Sequence, residues 1–328
     1  MNKLFLLTVL SFCISHLIKS QNIEFKEILP PPPSPQIYAD FTGISDGSLS
    51  FADIDNDRDP DLLITGFGKS IFYLNDRKGN FTEKNENSII RVKNSSVAFA
   101  DVDNDQDQDL MIIGESLEPL NELYPEPLRY ISKLYLNDGN GNFTEKEGTS
   151  FEPLAHGDVK FEDIDGDNDK DLLITGMSQW TLINPTGDPV VKLYRNDGSG
   201  NFTELSHSFA NVGYSSADFE DTDNDGDPDL FLCGSDLTEI KSKLYLNDGN
   251  GVFTEKIGES FEGVYNGSAT FSDVNMNNRL DKDLLITGTM NSNGENIPLT
   301  ELYLNDGKGN YSLDLNFLVF CISLGSAI

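Results

Sequence analysis

The stretch Asp221-Thr222-Asp223-Asn224-Asp225-Gly226-Asp227-Pro228-Asp229 puts an aspartate on every second residue. Carboxylates packed this closely repel one another strongly unless a cation sits among them. Oxygen-only donors at alternate positions suit a hard ion that takes six to eight oxygens, which favours calcium over magnesium or zinc. The loop runs straight into an apolar segment, Leu230-Phe231-Leu232-Cys233-Gly234. The same arrangement begins at Asp53, Asp101, Asp163 and Asp273, so it recurs every 48 to 62 residues. Such a period implies one repeated supersecondary unit, a propeller blade or a solenoid turn.

A second motif shares the period. It reads Phe72-Tyr73-Leu74-Asn75-Asp76, Leu134-Tyr135-Leu136-Asn137-Asp138, Leu193-Tyr194-Arg195-Asn196-Asp197, Leu244-Tyr245-Leu246-Asn247-Asp248 and Leu302-Tyr303-Leu304-Asn305-Asp306. Each copy leads into a Gly-containing turn and an aromatic, as in Gly139-Asn140-Gly141-Asn142-Phe143. Asn-Asp-Gly between short apolar runs signals a hairpin. Each unit therefore predicts four short strands. Strand A carries Val97, Phe99 and Ala100 into the acidic loop, and strand B is the Asp61-to-Gly66 type. Strand C is Leu-Tyr-Leu-Asn, and strand D is the Asn201-to-Glu204 type. Four antiparallel strands per repeat, stacked radially, make an all-β fold, a β-propeller. Five units are predicted, over 37–85, 86–147, 148–205, 206–256 and 257–315. EF-hands are excluded because their loops sit between helices, and these flanks have no helical period. The tandem Gly-Gly nonapeptides of a calcium β-helix are absent.

Outside the repeats, residues 1–20 read as a secretory signal: Lys3, an apolar run from Leu4 to Ile14, then small Ser20. That run is too short to span a bilayer, so no membrane span is expected and a secreted, extracellular protein is. Residues 21–36 hold a strand-D-like segment and a stiff proline spacer, Pro30 to Pro33 and Pro35. The apolar tail at 316–328 is also too short to cross a bilayer. Five complete strand sets plus a spare strand D fit a closed ring of five or a larger ring. The spare strand favours the larger ring, with further strands beyond residue 328.

The formal charge is −32, and twenty of the 55 acidic residues lie in the four regular loops. Without metal the folded state should repel itself, and nucleic acid is a poor partner for such a surface. The three cysteines exclude a disulfide scaffold. Cys13 belongs to the leader, Cys233 reads as a buried strand residue, and a Cys233–Cys321 bridge has no support.

These two motifs in fixed order, covering about residues 37–315, resemble the FG-GAP/VCBS-type repeats of integrin α-subunit propellers and many secreted bacterial proteins. The resemblance implies calcium bound between strands A and B, by side chains at loop positions 1, 3, 5 and 9 and the carbonyl at position 7. Carried over, the first loop would use Asp53, Asp55, Asp57 and Asp61 with the carbonyl of Asp59. The second would use Asp101, Asp103, Asp105 and Asp109 with that of Asp107. The third would use Asp163, Asp165, Asp167 and Asp171 with that of Asp169, and the fourth Asp221, Asp223, Asp225 and Asp229 with that of Asp227. The family favours Gly at position 6, where positive φ is expected. Gly226 fits and Asn168 tolerates it, whereas Arg58 and Gln106 predict weaker first and second loops. The fifth loop, with Asp273, Asn275 and Asn277 and two extra residues before Asp281 and Asp283, predicts lower charge and a broken register. Ile-Thr-Gly stands where the family's Gly-Ala-Pro would, which places the chain nearer the VCBS-like branch.

In an up-and-down blade the A–B and C–D connections share one face, and the B–C and D–A connections share the other. The second face carries connections of unequal length, and variable loops on a rigid scaffold are where recognition sits. Tyr124, Arg129, Tyr130 and the single tryptophan Trp180, with Tyr214 and Tyr265, are the candidate ligand residues. They would contact a glycan or a protein, or else pack between blades. Sequons occur at Asn80, Asn94, Asn142, Asn201, Asn266 and Asn310, four of them within the repeat consensus of the C–D turn. Beyond the leader only His156 and His207 remain, and neither a Gly-x-Ser-x-Gly elbow nor a phosphate-cradling loop occurs. The expectation is a non-catalytic, calcium-stabilised binding or adhesion module. The alternative is an accessory or catalytic domain of a secreted polysaccharide-acting enzyme.

Overall fold

A computed structural model of the protein describes residues 41, 43–84, 89–116, 129–179, 184, 186–275, 281–292 and 294–315. The leader, the segment at 21–36 and the tail at 316–328 lie outside the described residues, as do Tyr124, Trp180 and Asn277. The described elements are all strands, grouped into five antiparallel blades of a β-propeller. The first blade holds β1 (Ser48–Ala52), β2 (Asp61–Gly66), β3 (Lys69–Asn75) and β4 (Phe81–Glu83). The second holds β5 (Val92–Ala100), β6 (Asp109–Ser116), β7 (Arg129–Asn137) and β8 (Phe143–Glu145). In the third, strand A is split into β9 (Leu154–Ala155) and β10 (Val159–Glu162), followed by β11 (Asp171–Ser178), β12 (Pro189–Asn196) and β13 (Phe202–Leu205). The fourth comprises β14 (Gly213–Glu220), β15 (Asp229–Ser235), β16 (Ile240–Asn247) and β17 (Phe253–Glu255). The fifth comprises β18 (Tyr265–Ser272), β19 (Asp283–Ser292), β20 (Glu295–Asn305) and β21 (Tyr311–Leu313).

The apolar core lies between blades rather than within them. Successive side chains of a strand point to opposite faces, so neighbours in strand B serve different layers. Leu110 and Ile112 pack with Leu63 and Phe72 of the first blade, whereas Met111 and Ile113 pack with Leu172 and Ile174 of the third. Leu230 and Leu232 likewise face the third blade, while Phe231 and Cys233 face the fifth. This explains why strand B is a continuous apolar run: every residue of β2 is buried. Strand-D aromatics complete each layer, and Phe143 stacks on Phe72 of the preceding blade with centroids 4.9 Å apart. On the other side of the first blade, Leu62, Ile64 and Tyr73 pack under Phe41 and Ile44.

Polar contacts hold the blades in step. The strand-C asparagine, which the sequence presents as a turn residue, is a clamp between blades. Asn137 Nδ2 donates to the Ile54 carbonyl, Asn196 to Val102, Asn247 to Ile164 and Asn305 to Thr222, at 2.7–2.9 Å. Each acceptor is position 2 of the preceding acidic loop. The strand-C tyrosine hydroxyl accepts a backbone N–H from the segment entering its own blade: Ile90 to Tyr135, Glu152 to Tyr194, Ala210 to Tyr245 and Glu262 to Tyr303. The first four acidic loops are thereby tied to the following blade by an asparagine.

Candidate metal centres and ligand face

The acidic loops join strands A and B, and the last aspartate of each opens strand B. Asp61 pairs with Ala52, Asp109 with Ala100, Asp171 with Glu162, Asp229 with Glu220 and Asp283 with Ser272. This aspartate is a staple as well as a donor. Asp109 Oδ2 accepts the Val102 N–H at 3.0 Å and its Oδ1 accepts the Asn137 N–H at 2.9 Å. Asp61, Asp171 and Asp229 make the same two bonds. Position 1 folds the loop by accepting the N–H of position 6: Arg58 to Asp53, Gln106 to Asp101, Asn168 to Asp163 and Gly226 to Asp221. Position 5 accepts the N–H of position 7, as in Asp107 to Asp105.

With these bonds made, carboxylates converge. Oxygens of Asp53, Asp55 and Asp57 lie within 4.8 Å of one another, as do those of Asp101, Asp103 and Asp109, of Asp163, Asp165 and Asp171, and of Asp221, Asp223 and Asp225. Each of the four loops also contains a carboxylate oxygen sealed from solvent that accepts no hydrogen bond: Asp53 Oδ1, Asp103 Oδ1, Asp165 Oδ1 and Asp223 Oδ1. Buried acceptors without donors are costly, and a cation bound by these oxygens would remove the cost. The residues present therefore fit a metal ion.

The electrostatics agree. Burial pushes Asp109 up to about 7, and Asp61, Asp171 and Asp229 up to about 6, against the hydrogen bonds they accept. Burial raises Asp55, Asp103 and Asp223 too, helped next by the charges of Asp57, Asp105 and Asp225. At Asp165 burial raises the carboxyl while Arg195 pulls it back. A bound cation inverts this logic and drives the protons off.

Position 6 adopts the positive φ expected there in all four loops. Arg58 and Gln106 adopt the left-handed backbone at φ 71° and 75°, beside 71° for Asn168 and 99° for Gly226, so the first two loops keep the same bend. Two position-7 side chains are engaged by the preceding loop: Asp107 Oδ1 accepts Asn56 Nδ2 and Asp169 Oδ1 accepts Asn104 Nδ2, at 2.7 and 2.8 Å. Asn56 and Asn104 at position 4 thus bridge neighbouring loops, a role their polar character alone does not reveal. In the fifth loop the staple survives, since Asp283 accepts the N–H groups of Val274 and Asn305. Here Asn275 Nδ2 donates to Asp283 Oδ2 at 3.2 Å, so an amide answers the carboxylate that a cation would otherwise meet. The fifth loop forms no three-acid cluster among the described residues.

On the opposite face the strand-A starts form an arc. Asp46, Asn94, His156, Tyr214 and Asn266 share positive φ, between 47° and 57°. Asn94 donates its N–H to the Asp46 carbonyl, His156 to Asn94 and Tyr214 to His156. Beneath the arc, Glu115 is buried and takes His156 Nε2 at 3.0 Å, Asn94 Nδ2 at 2.8 Å and Lys93 Nζ at 3.1 Å. Burial would raise this carboxyl, but those three donors outweigh it and hold it at about 2. Of the candidate ligand residues, Tyr214 and Tyr265 come together in a groove of about 410 Å³ with Ser235, Leu237, Thr238 and Asn291. Tyr130 does not line the groove. It is buried with Ala155 and Met177 in a cluster against which Tyr214 packs, and burial pushes its phenol up to about 12. Arg129 is exposed at the start of β7.

Fold and loops together define a class: a β-propeller with an acidic, ion-fitting loop between the first two strands of its blades. The chain belongs to the FG-GAP-like repeat family, whose model matches residues 38–112, 163–232 and 221–282. No curated protein matches the sequence. Among solved structures it is similar to an Agrocybe aegerita lectin described as recognising non-reducing terminal N-acetylglucosamine. The two share 16% identity and a TM-score of 0.41, covering 83% of this chain and 80% of that one. It is also similar to a β-fructofuranosidase from Schwanniomyces occidentalis complexed with fructosyl-erythritol, at 11% identity and a TM-score of 0.38. That match covers 82% of this chain and 60% of the enzyme. These distant likenesses bring no function with them. Among the described residues no helix is long and apolar enough to cross a membrane.

Proposed function

We propose that this is a secreted, non-catalytic binding or adhesion module whose acidic loops hold calcium and whose opposite face takes a glycan or protein partner. The observation that carries the reading is the sealed, donorless carboxylate oxygen in each of the four loops. Calcium is favoured because these clusters offer oxygen alone and the loop backbone can supply further oxygens. Aspartates 53, 55, 57 and 61, with their counterparts at 101–109, 163–171 and 221–229, would hold the ions and the position-7 carbonyls would complete each set. Extracellular calcium is concentrated enough to fill even weak sites of this kind.

The metal acts through structure in this reading. It neutralises the loops at one edge of each blade and so stabilises the scaffold whose opposite edge carries the recognition face. The groove at Tyr214 and Tyr265 is the surface we assign to the partner: two tyrosines and exposed Leu237 give an apolar floor, rimmed by Ser235, Thr238 and Asn291. A non-catalytic role is supported by Glu115, the buried carboxylate beneath the arc of strand-A starts. Its three donors keep it ionised and occupied, unlike a general acid with a raised pKa. The test is a screen of immobilised glycans and extracellular proteins with and without chelator, paired with Tyr265→Ala. Binding that needs calcium and is lost in Tyr265→Ala at an unchanged melting temperature is expected. Turnover of a polysaccharide by the purified chain would overturn the non-catalytic reading.

A further inference from the structure

The four three-acid loops differ in how closely a side-chain cation approaches position 3. In the third, Arg195 Nε lies 2.8 Å from Asp165 Oδ2, and the Asp165 side chain is only 11% exposed. Among the described residues, no lysine or arginine comes within 4.0 Å of the position-3 carboxylates Asp55, Asp103 or Asp223, on which Lys84, Lys146 and Lys256 act only from farther away. Arg195 stands where the other strand-C motifs have Leu74, Leu136, Leu246 and Leu304.

A second irregularity in the same blade explains its presence. Strand D ends in Phe-Thr-Glu-Lys in the first, second and fourth blades, and the lysine reaches the C–D turn of the next blade. Lys84 meets Asn142 Oδ1 at 3.5 Å, Lys146 the Ser199 carbonyl at 3.2 Å and Lys256 the Lys308 carbonyl at 3.0 Å. The third blade has Leu205 at that place, and Arg195 Nη2 makes the equivalent link to the Asn250 carbonyl at 3.2 Å. Moving the linking cation from strand D to strand C brings it against the acidic loop. One guanidinium thus serves two partners, the next blade and Asp165.

We propose that Arg195 is a resident counter-ion of the third loop, making it the weakest of the four clusters for calcium and the last to fill. This rests on the calcium reading above. A divalent ion at Asp163, Asp165 and Asp171 must share Asp165 with a fixed positive charge, and it gains less because that carboxylate is already partly neutralised. Repulsion between cations at such range lowers affinity on the order of tenfold even when well screened. Asp165 Oδ1 stays sealed and without a donor, so the site is attenuated rather than abolished.

The experiment is calcium titration of the metal-stripped full chain, by calorimetry and equilibrium dialysis, for wild type and two double variants. Arg195→Leu with Leu205→Lys rebuilds the third blade on the pattern of its neighbours and keeps the link to the fourth. Leu136→Arg with Lys146→Leu moves the device to the second blade. Wild type should show one step at least about tenfold weaker than the rest. That step should merge with the tight sites in the first variant, and a second weak step should appear in the other. Isotherms of both variants that superimpose on wild type, with ions still bound, would overturn the role of Arg195 and leave the calcium reading intact. Absence of binding in all three would remove both.

Discussion

Arg58 and Gln106 occupy backbone that glycine holds in the fourth loop, with φ of 71° and 75° against 99° at Gly226. A side chain there costs roughly 1 kcal/mol, and the loops retain the bend because position 1 captures the N–H of position 6. Arg58→Gly and Gln106→Gly should each stabilise the chain by up to about 1 kcal/mol, read as a higher urea midpoint. An unchanged or lower midpoint would show that those side chains make compensating contacts. Glu115 is the other residue-scale test. Its carboxyl sits at about 2, below an ordinary glutamate, because His156, Asn94 and Lys93 outweigh the cost of burial. A depressed carboxyl contributes stability that is complete above the unfolded pKa, near 4.5, and is lost as pH falls toward 2. Glu115→Ala should therefore cost about 3 kcal/mol at pH 7, with the deficit shrinking between about pH 4.5 and 2. A deficit independent of pH would mean that packing, not charge, is what Glu115 supplies.

At the scale of elements, the junction between blades is the repeating bond. Asn137 Nδ2 links strand C both to the Ile54 carbonyl of the preceding blade and to the Gln108 carbonyl of its own, and its Oδ1 accepts the Gly141 N–H. Among the described residues the first blade's Asn75 Nδ2 reaches only the Pro60 carbonyl. Asn137→Ala should cost about 2 kcal/mol and Asn75→Ala less than about 1, because only the former strands buried groups on two blades. Comparable losses at both positions would argue against the clamp. The same logic assigns the C–D turn asparagines a structural role: the amides of Asn80, Asn142, Asn201 and Asn310 donate to the turn aspartates Asp76, Asp138, Asp197 and Asp306. Asn94 is likewise committed to Glu115, whereas Asn266 is exposed.

At the scale of the molecule, a net charge of −32 meets blades whose acidic edges lie in step. Removing calcium should lower the melting temperature on the order of 10 °C or more if four sites release ions held well below their working concentration. Roughly molar sodium chloride should recover part of that loss by screening exposed loop charges, but not the part held by buried Asp109, Asp171 and Asp229. A melting temperature indifferent to chelator and to added calcium would defeat the calcium assignment.

The acidic loops, the strand sets and their order were legible in the sequence because each depends on short-range pattern: alternation fixes the loop donors, and apolar runs with Gly turns fix the strands. The staple at Asp61, Asp109, Asp171 and Asp229 lies at the expected loop position, but its bond to strand C does not follow from spacing. What only the tertiary structure decided is which polar groups meet across blades. Asn137 reaches Ile54 and Asn196 reaches Val102 over 83 and 94 residues, and Arg195 falls between Asp165 and the next blade. Such partners are set by how sheets stack, and a strand carries no local mark of the face it will meet.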